Sequence, residues 1–443
     1  MSDIASGGAA VELTRLLVDR GGRLLVTSKG GSFFYLGDTA WELLHRLRLD
    51  EACEYLEARA AQGFNVVECV ALAELDGLRQ PTPDGHVPFL EEDPLRPYEP
   101  YWRHVDEVVR FANRCGIYIG LLPTWGDKWN IGSGKGPEIF NPSNAEDYGR
   151  WLGARYRNDG IIWILGGDRR VEKPEHRRIL DAMAAGLRQG DGGRSLITFH
   201  PVGGRTSKEE LPECAWLDFD MFQSGHSILS LENWYFAHKC RAAEPVRPYL
   251  DGEPCYEDHE VMLPEWKPVK PGWRFDAQAV RRAAWWSLLS GSCGHVYGAQ
   301  PCWMMWDERY EPFCGVRMTW RAALSLPGAA QMRLVAEVAR EAGSLLSPEA
   351  WRVVGTLQNW DARPVAASTE NGLIIYSPQR QDISLNLEGL PPRSWRLFWE
   401  DPAATGLCDA GLSGAGLPKS LFIPSKVASP GGCDVLYFLL YEN

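Results

Sequence analysis

The stretch Ile161-Ile-Trp-Ile-Leu-Gly-Gly-Asp-Arg169 decides how the rest of the chain is read. Five apolar residues run into two glycines and deliver an aspartate. A short apolar run that ends at Gly reads as a buried strand. Strands covered on both faces belong to parallel sheets, where crossover helices supply the cover. Asp168 then stands at the carboxyl end of a buried parallel strand. That is where catalytic side chains of α/β proteins sit, and also where an ordinary helix N-cap sits.

The same texture recurs on both sides. Strand-like runs cover Phe33–Asp38, Asn65–Leu72, Ile117–Trp125, Ile161–Leu165, Ser195–His200, Leu217–Gln223, Arg247–Glu253 and Gly294–Gly298. Helix-like spacing separates most of them, at 50–62, 101–115, 144–157, 175–189 and 276–289, with 324–346 closing the series. Repeated strand–helix units imply right-handed parallel connections. Eight of them over about 300 residues imply a (β/α)8 TIM barrel. An open doubly wound sheet would carry a G-x-G-x-x-G turn after its first strand; here that strand runs into Gly37-Asp-Thr-Ala-Trp41. After Ser347 the runs become short and β-like, at 351–354, 372–376, 383–387, 395–399 and 435–440, separated by Gly, Pro and Asn turns. The expected organisation is an N-terminal extension over 1–20, a barrel over 21–346 and a small all-β sandwich domain over 347–443. The aromatics of that last domain, Trp351, Trp360, Trp395 and Trp399, fall mostly within strand-like runs, which favours bracing the barrel over binding sugar.

Composition narrows the function. The 443 residues carry a net charge of −12, against the basic face that a nucleic-acid partner requires. No run of 18 uncharged apolar residues exists, so no membrane span is expected. The N-terminus lacks a basic segment followed by an apolar core, which predicts no secretory leader and a cytoplasmic protein. Eleven scattered cysteines, with no C-x-x-C pair, read as reduced thiols and not as a disulfide or zinc framework. The oligomeric state is not legible. Nineteen tryptophans are an outlying number that suits stacking platforms for flat ligands or sugar rings, with large core aromatics as the equal alternative for any one of them.

The strand ends form a set with a chemical character. They supply Asp38 and Trp41, Glu68, Trp125, Asp168, His200, Gln223 and His226, then Asp251 and Glu253, and His295 and Tyr297. Phosphate sites need clustered Arg and Lys or a glycine nest, which this set lacks. A metal held by His200, His226 and Asp38 is conceivable, yet no H-x-H or H-E-x-x-H spacing supports one; no cofactor or metal is expected. Carboxylates, amides and imidazoles mixed with Trp suit a neutral, hydroxyl-rich carbohydrate. Glycosidic cleavage needs two carboxyl groups facing each other across the bond. Asp168 after the fourth strand and Glu253 after the seventh lie across the mouth of such a barrel. Asp38, Trp41, Glu68, Trp125, His200, Gln223, His226, His295, Tyr297 and Trp303 are the candidate substrate-binding residues, and Asp251 is expected to orient neighbouring backbone. Two other classes stay open: a non-catalytic carbohydrate-binding protein on a degenerate barrel, and a metal-dependent barrel hydrolase.

The run Phe33–Leu44, the segment Ala61-Gln-Gly-Phe-Asn-Val-Val67, the strand Trp163–Asp168, Asp251-Gly-Glu-Pro254 and Gly294-His-Val-Tyr-Gly298, taken in order, resemble the apiosidase-like glycoside hydrolases. The resemblance spans about residues 20–345. It implies a (β/α)8 hydrolase with an accompanying C-terminal β-domain, its acid/base after strand four and its nucleophile after strand seven. Position by position it makes Asp168 the acid/base and Glu253 the nucleophile of a retaining mechanism. It further implies action on plant-derived glycans or glycosides, the best-known activity being release of apiose-capped side chains from pectin. On that footing Asp168 should rest protonated, its pKa raised by burial or by the charge on Glu253, and Arg169 should point away.

Overall fold

The structure is a computed structural model that describes residues 13–442 apart from 133, 230, 343–345, 350–351, 355–361, 405 and 429–430. Eight parallel strands form the centre: β1 (Tyr35–Thr39), β2 (Val66–Val70), β3 (Tyr118–Leu122), β4 (Ile161–Gly166), β5 (Ile197–His200), β6 (Asp220–Gln223), β7 (Tyr249–Asp251) and β8 (Gly294–Tyr297). They pair in sequence order, and β8 pairs back onto β1. The seam between β5 and β6 is closed by the Asp218 amide donating to the Ile197 carbonyl at 2.9 Å. The Thr198 hydroxyl adds a bond to the Phe219 carbonyl at 2.7 Å. The sheet is thus a TIM barrel. A two-residue antiparallel strand, Arg205–Thr206, adds to β6.

The period-two geometry of a strand divides the core in two. In β4, Ile162 and Ile164 point into the barrel, where they meet Tyr35, Val66, Tyr118, Met221, Leu250 and Val296. Ile161, Trp163 and Leu165 point out against the helices. The Trp163 indole N–H donates to the buried Asp191 carboxylate at 3.1 Å, which satisfies the polar handle of a ring buried between strand and helix.

Element bounds differ from the sequence reading at a few places. The first barrel strand begins at Tyr35, because Ser32–Phe33 pairs instead within a small antiparallel sheet with Leu16–Val18 and Leu25–Thr27. That sheet lies partly inside the segment read as an N-terminal extension, and its Leu16 and Leu25 join the barrel-interior core. The closing helix, described over Pro327–Ala342, begins three residues later than expected. Leu324 instead caps a separate turn, Trp320–Ala323.

Beyond the barrel, two antiparallel sheets pack as a sandwich around Leu373, Ile375, Leu385, Leu397, Val435 and Leu439. Strands Val365–Thr369, Cys408–Gly414 and Ser420–Ile423 went unread in the sequence. Cys408–Gly414 is small, polar and largely exposed, so it carries no alternating apolar signal. Trp395 is core and Trp399 packs against that core, while Trp351 and Trp360 lie outside the described residues. The sandwich is bolted to the barrel helix Ala277–Leu289. Arg281 is paired two-pronged with Asp434 at 2.9 and 2.6 Å, Trp285 stacks on Tyr376, and the Trp286 N–H donates to the Arg363 carbonyl at 2.9 Å.

Candidate active site

A cavity of about 610 Å³ opens at the carboxyl ends of the barrel strands, the end where barrel enzymes place their chemistry. Both Asp168 and Glu253 line it.

Asp168 reaches it by an unusual turn. Gly166, Gly167 and Asp168 follow one another with φ of 105°, 92° and 55°. A Cβ on Gly166 would stand 2.3 Å from the His200 carbonyl oxygen, so only glycine fits. Three consecutive left-handed residues are costly, and such backbone persists where the surroundings over-determine it. The helix that follows starts at Pro174 with Lys173 as its N-cap. Asp168 therefore caps nothing, which answers the question its position raised. Arg169 turns away from the carboxylate: its guanidinium donates to the Asp168 main-chain carbonyl at 2.9 Å and to the Ile131 carbonyl at 3.4 Å.

Opposite it, Glu253 is 5% exposed and held by two imidazoles. His226 Nε2 lies 3.1 Å from one carboxylate oxygen and His200 Nε2 lies 3.3 Å from the other. The second nitrogen of His200 faces Asp168 at 3.8 Å. One ligand atom from each of Asp168, His200 and Glu253 falls within 4.8 Å of the others. His200 is itself wedged between Trp41 and Trp125, with ring centroids at 5.3 and 6.0 Å. His226 stacks on His259 at 4.2 Å and leans on Tyr256 at 4.4 Å.

The two carboxyl groups are driven apart electrostatically. Burial raises Asp168, the Glu253 charge raises it further, and His200, Arg169 and the Gln223 amide oppose; the outcome is a pKa of about 7. Burial would raise Glu253 too, but its contacts with His200 and His226 outweigh burial and hold it well below the usual carboxylate range. For His200, burial favours the neutral ring, yet Glu253, Asp168 and Glu68 push its pKa up to about 9. At neutral pH, Glu253 is ionised, His200 carries a proton and Asp168 is poised between its two forms. Asp168, His200 and Glu253 are also the donors that would hold a cation here.

The structure brings Trp41, Trp125, Asp168, Gln223, His226, Glu253 and Trp303 to the cavity wall, with His200 directly behind. It does not bring the others. Asp38 is fully buried against the helix Leu49–Ala61, with Arg59 Nε at 2.5 Å and the Tyr55 hydroxyl donating to it. It is an internal counter-ion and is unavailable to sugar or metal. His295 faces outward, its ring 3.0 Å from the Ser287 hydroxyl, and burial lowers its pKa to about 3. The Tyr297 hydroxyl donates to Glu257 at 2.7 Å within the outer core. Neither residue meets the cavity. Glu68 sits mid-strand below it, bonded by the Tyr35 hydroxyl at 2.6 Å, with a pKa raised by burial to about 8. Asp251 accepts from the Ser224 main-chain amide at 3.3 Å, and also from the Ser224 hydroxyl at 2.6 Å and the Asn233 side-chain amide at 3.3 Å. Sequence reasoning missed Glu74, Tyr256, His259 and Trp266, all of which line the cavity. Glu74 was findable, since it directly ends the apolar run Cys69–Ala73.

A parallel eight-stranded barrel with opposed carboxyl groups at its strand ends is the framework of a glycoside hydrolase. Two solved structures agree with that class over nearly the whole chain. One is described as a glycoside hydrolase (26% identity, 97% of this chain and 97% of that one, TM-score 0.86). The other is a glycoside hydrolase family 5 protein from Bacteroides vulgatus (27% identity, 96% and 93%, TM-score 0.85). A family 5 mannosidase from Rhizomucor miehei shares the fold alone, at 10% identity, 75% and 100% coverage and a TM-score of 0.50. The apiosidase-like catalytic domain model matches residues 19–344; the chain belongs to the apiosidase-like family and is a glycoside hydrolase. No curated protein matches it.

Proposed function

We propose that this enzyme cleaves glycosides with retention of configuration, Glu253 acting as nucleophile and Asp168 as acid and then base. The observation that carries the reading is the separation of the pair. One oxygen of each carboxyl group lies within 4.8 Å of the other, which suits a retaining pair at about 5–5.5 Å better than an inverting pair at about 6.5–9.5 Å.

The residues divide the work as follows. Glu253, ionised, attacks the anomeric carbon as the Asp168 proton passes to the departing oxygen, and a glycosyl–enzyme ester forms. Asp168, now ionised, takes a proton from water, which attacks the same carbon and frees the sugar and Glu253. His226 and the protonated His200 orient Glu253 and keep it ionised between turnovers. Trp41 and Trp125 wall the sugar site and exclude water, which strengthens these interactions. The family relationship supports plant-derived glycosides as the substrate class.

The test is hydrolysis of a panel of aryl glycosides, furanosides included. Wild type should turn over one sugar, and Glu253→Ala should be inactive but rescued by azide with an inverted glycosyl azide product. Asp168→Ala should be impaired chiefly on poor leaving groups. A Glu253→Gln variant that behaves as wild type would instead support a carbohydrate-binding protein, and loss of activity on chelation would support a metal-dependent hydrolase.

A further inference from the structure

The cavity changes character from floor to rim. Asp168, Gln223, His226 and Glu253 bring polar groups to it, whereas one side of its rim is built by the apolar Leu229, Leu263, Pro264, Trp266 and Phe313. Four of these are large apolar side chains left open to solvent: Leu229 at 74%, Trp266 at 60%, Phe313 at 48% and Leu263 at 36% exposure. Single exposed apolar residues are ordinary, but several gathered around one opening mark a binding surface. Trp266 is also held there at a conformational cost. Its φ is 57°, a left-handed backbone that bulky residues rarely adopt. A tight hairpin fixes it, with the Leu263 amide donating to the Lys267 carbonyl at 2.7 Å and the Trp266 amide to the Leu263 carbonyl at 3.0 Å. The indole meets the His226 ring at 6.3 Å, so the rim is continuous with the imidazole that holds Glu253.

Resting on the retaining-hydrolase reading above, we infer that the leaving group accepted at this rim is an apolar alkyl or aryl aglycone, so that the substrate is a small glycoside of a hydrophobic alcohol or phenol and not a polysaccharide. Aromatic rings alone would not distinguish the two, because sugar rings also stack on Trp. The aliphatic members decide it. Leu229, Leu263 and Pro264 offer neither a π face for a sugar ring nor a hydrogen bond for its hydroxyls. A further hydroxyl-rich unit would leave its polar groups desolvated against them, whereas an apolar group removes their exposed surface from water.

The experiment compares methyl and octyl glycosides of the sugar found in the aryl panel. Both alcohols are equally poor leaving groups, so a difference reads binding at the rim. Wild type should show kcat/KM about tenfold or more higher for octyl, given about fourfold per fully buried methylene. Phe313→Ala should reduce that preference while leaving the methyl glycoside rate unchanged, and Trp266→Ala should reduce it whatever its effect on the methyl glycoside. Equal rates on both alcohols, in an enzyme that hydrolyses them, would overturn this inference and leave the retaining reading intact. If no glycoside is cleaved, the retaining reading is what fails. In that case binding of 2-naphthol, followed by quenching of tryptophan fluorescence, tests the rim without turnover. Weakening on Trp266→Ala supports the inference, and wild-type affinity in both variants overturns it.

Discussion

Replacing Gly166 by Ala probes the turn that delivers Asp168. Two costs add. The left-handed backbone, at φ 105°, costs about 1–2 kcal/mol for a residue with a Cβ. The new methyl would lie 2.3 Å from the His200 carbonyl oxygen. That oxygen also accepts the Gly167 amide at 3.2 Å, so relief requires moving β5 or the turn, a further cost of about 1–3 kcal/mol. The sum, about 2–5 kcal/mol, corresponds to a melting temperature lower by roughly 2–5 °C, at about 1 °C per kcal/mol for a chain of this length. Both strands that must yield carry groups of the site, Asp168 on one and His200 on the other. A displacement of about 1 Å there costs about 100-fold in turnover. Thermal melting and kcat are measured together, with Gly192→Ala as control. Gly192 has φ 70° and nothing within 4 Å of its added Cβ, so that variant bears the backbone cost alone. If Gly166→Ala melts with the control and keeps wild-type kcat, the steric account of this turn is wrong.

Other outcomes follow from the same geometry. Asp168, raised to about 7, must be protonated to donate to the departing oxygen, so kcat/KM should fall as pH rises through about 7. Glu253 stays ionised well below that range and sets no acidic limb near neutrality. A pH profile whose alkaline limb lies above 9 would contradict this assignment. Arg59→Met should leave the Asp38 charge buried without its cation, destabilising by about 3–5 kcal/mol without altering kcat per folded molecule. An unchanged urea midpoint would refute the internal-pair role.

Much of the barrel was legible because both faces of its strands are covered, so runs such as Ile161–Leu165 are apolar throughout and stop at glycine. Asp168 was legible for a related reason, since it follows such a run across two glycines, whereas Glu253 follows only the short Tyr249–Asp251 strand and was picked out by its place after the seventh strand. What failed was the direction a strand-end side chain takes. Asp38, His295 and Tyr297 occupy strand positions as good as those of Gln223, but their side chains turn toward the helices, and a one-residue error in a strand's end reverses that direction. Glu74, His259 and Trp266 sit in loops, where no periodicity announces them and only tertiary packing assigns a role. The sandwich was legible where its strands carry large apolar side chains, as at 372–377 and 435–441, and not at the exposed Cys408–Gly414 or at Val365–Thr369, whose buried residues are mostly small.

The ion pair between Arg281 and Asp434, with Trp285 and Trp286 beside it, bears on how the protein can be dissected. The helix that carries these side chains presents the barrel with a seam instead of a finished exterior. Cut away from residues 347–442, the catalytic half would expose two indoles and an uncompensated guanidinium, so it should be sticky and poorly soluble. The two parts therefore form one unit for expression, for crystallisation and for inheritance: the C-terminal segment is less a passenger module than the missing outer wall of the enzyme.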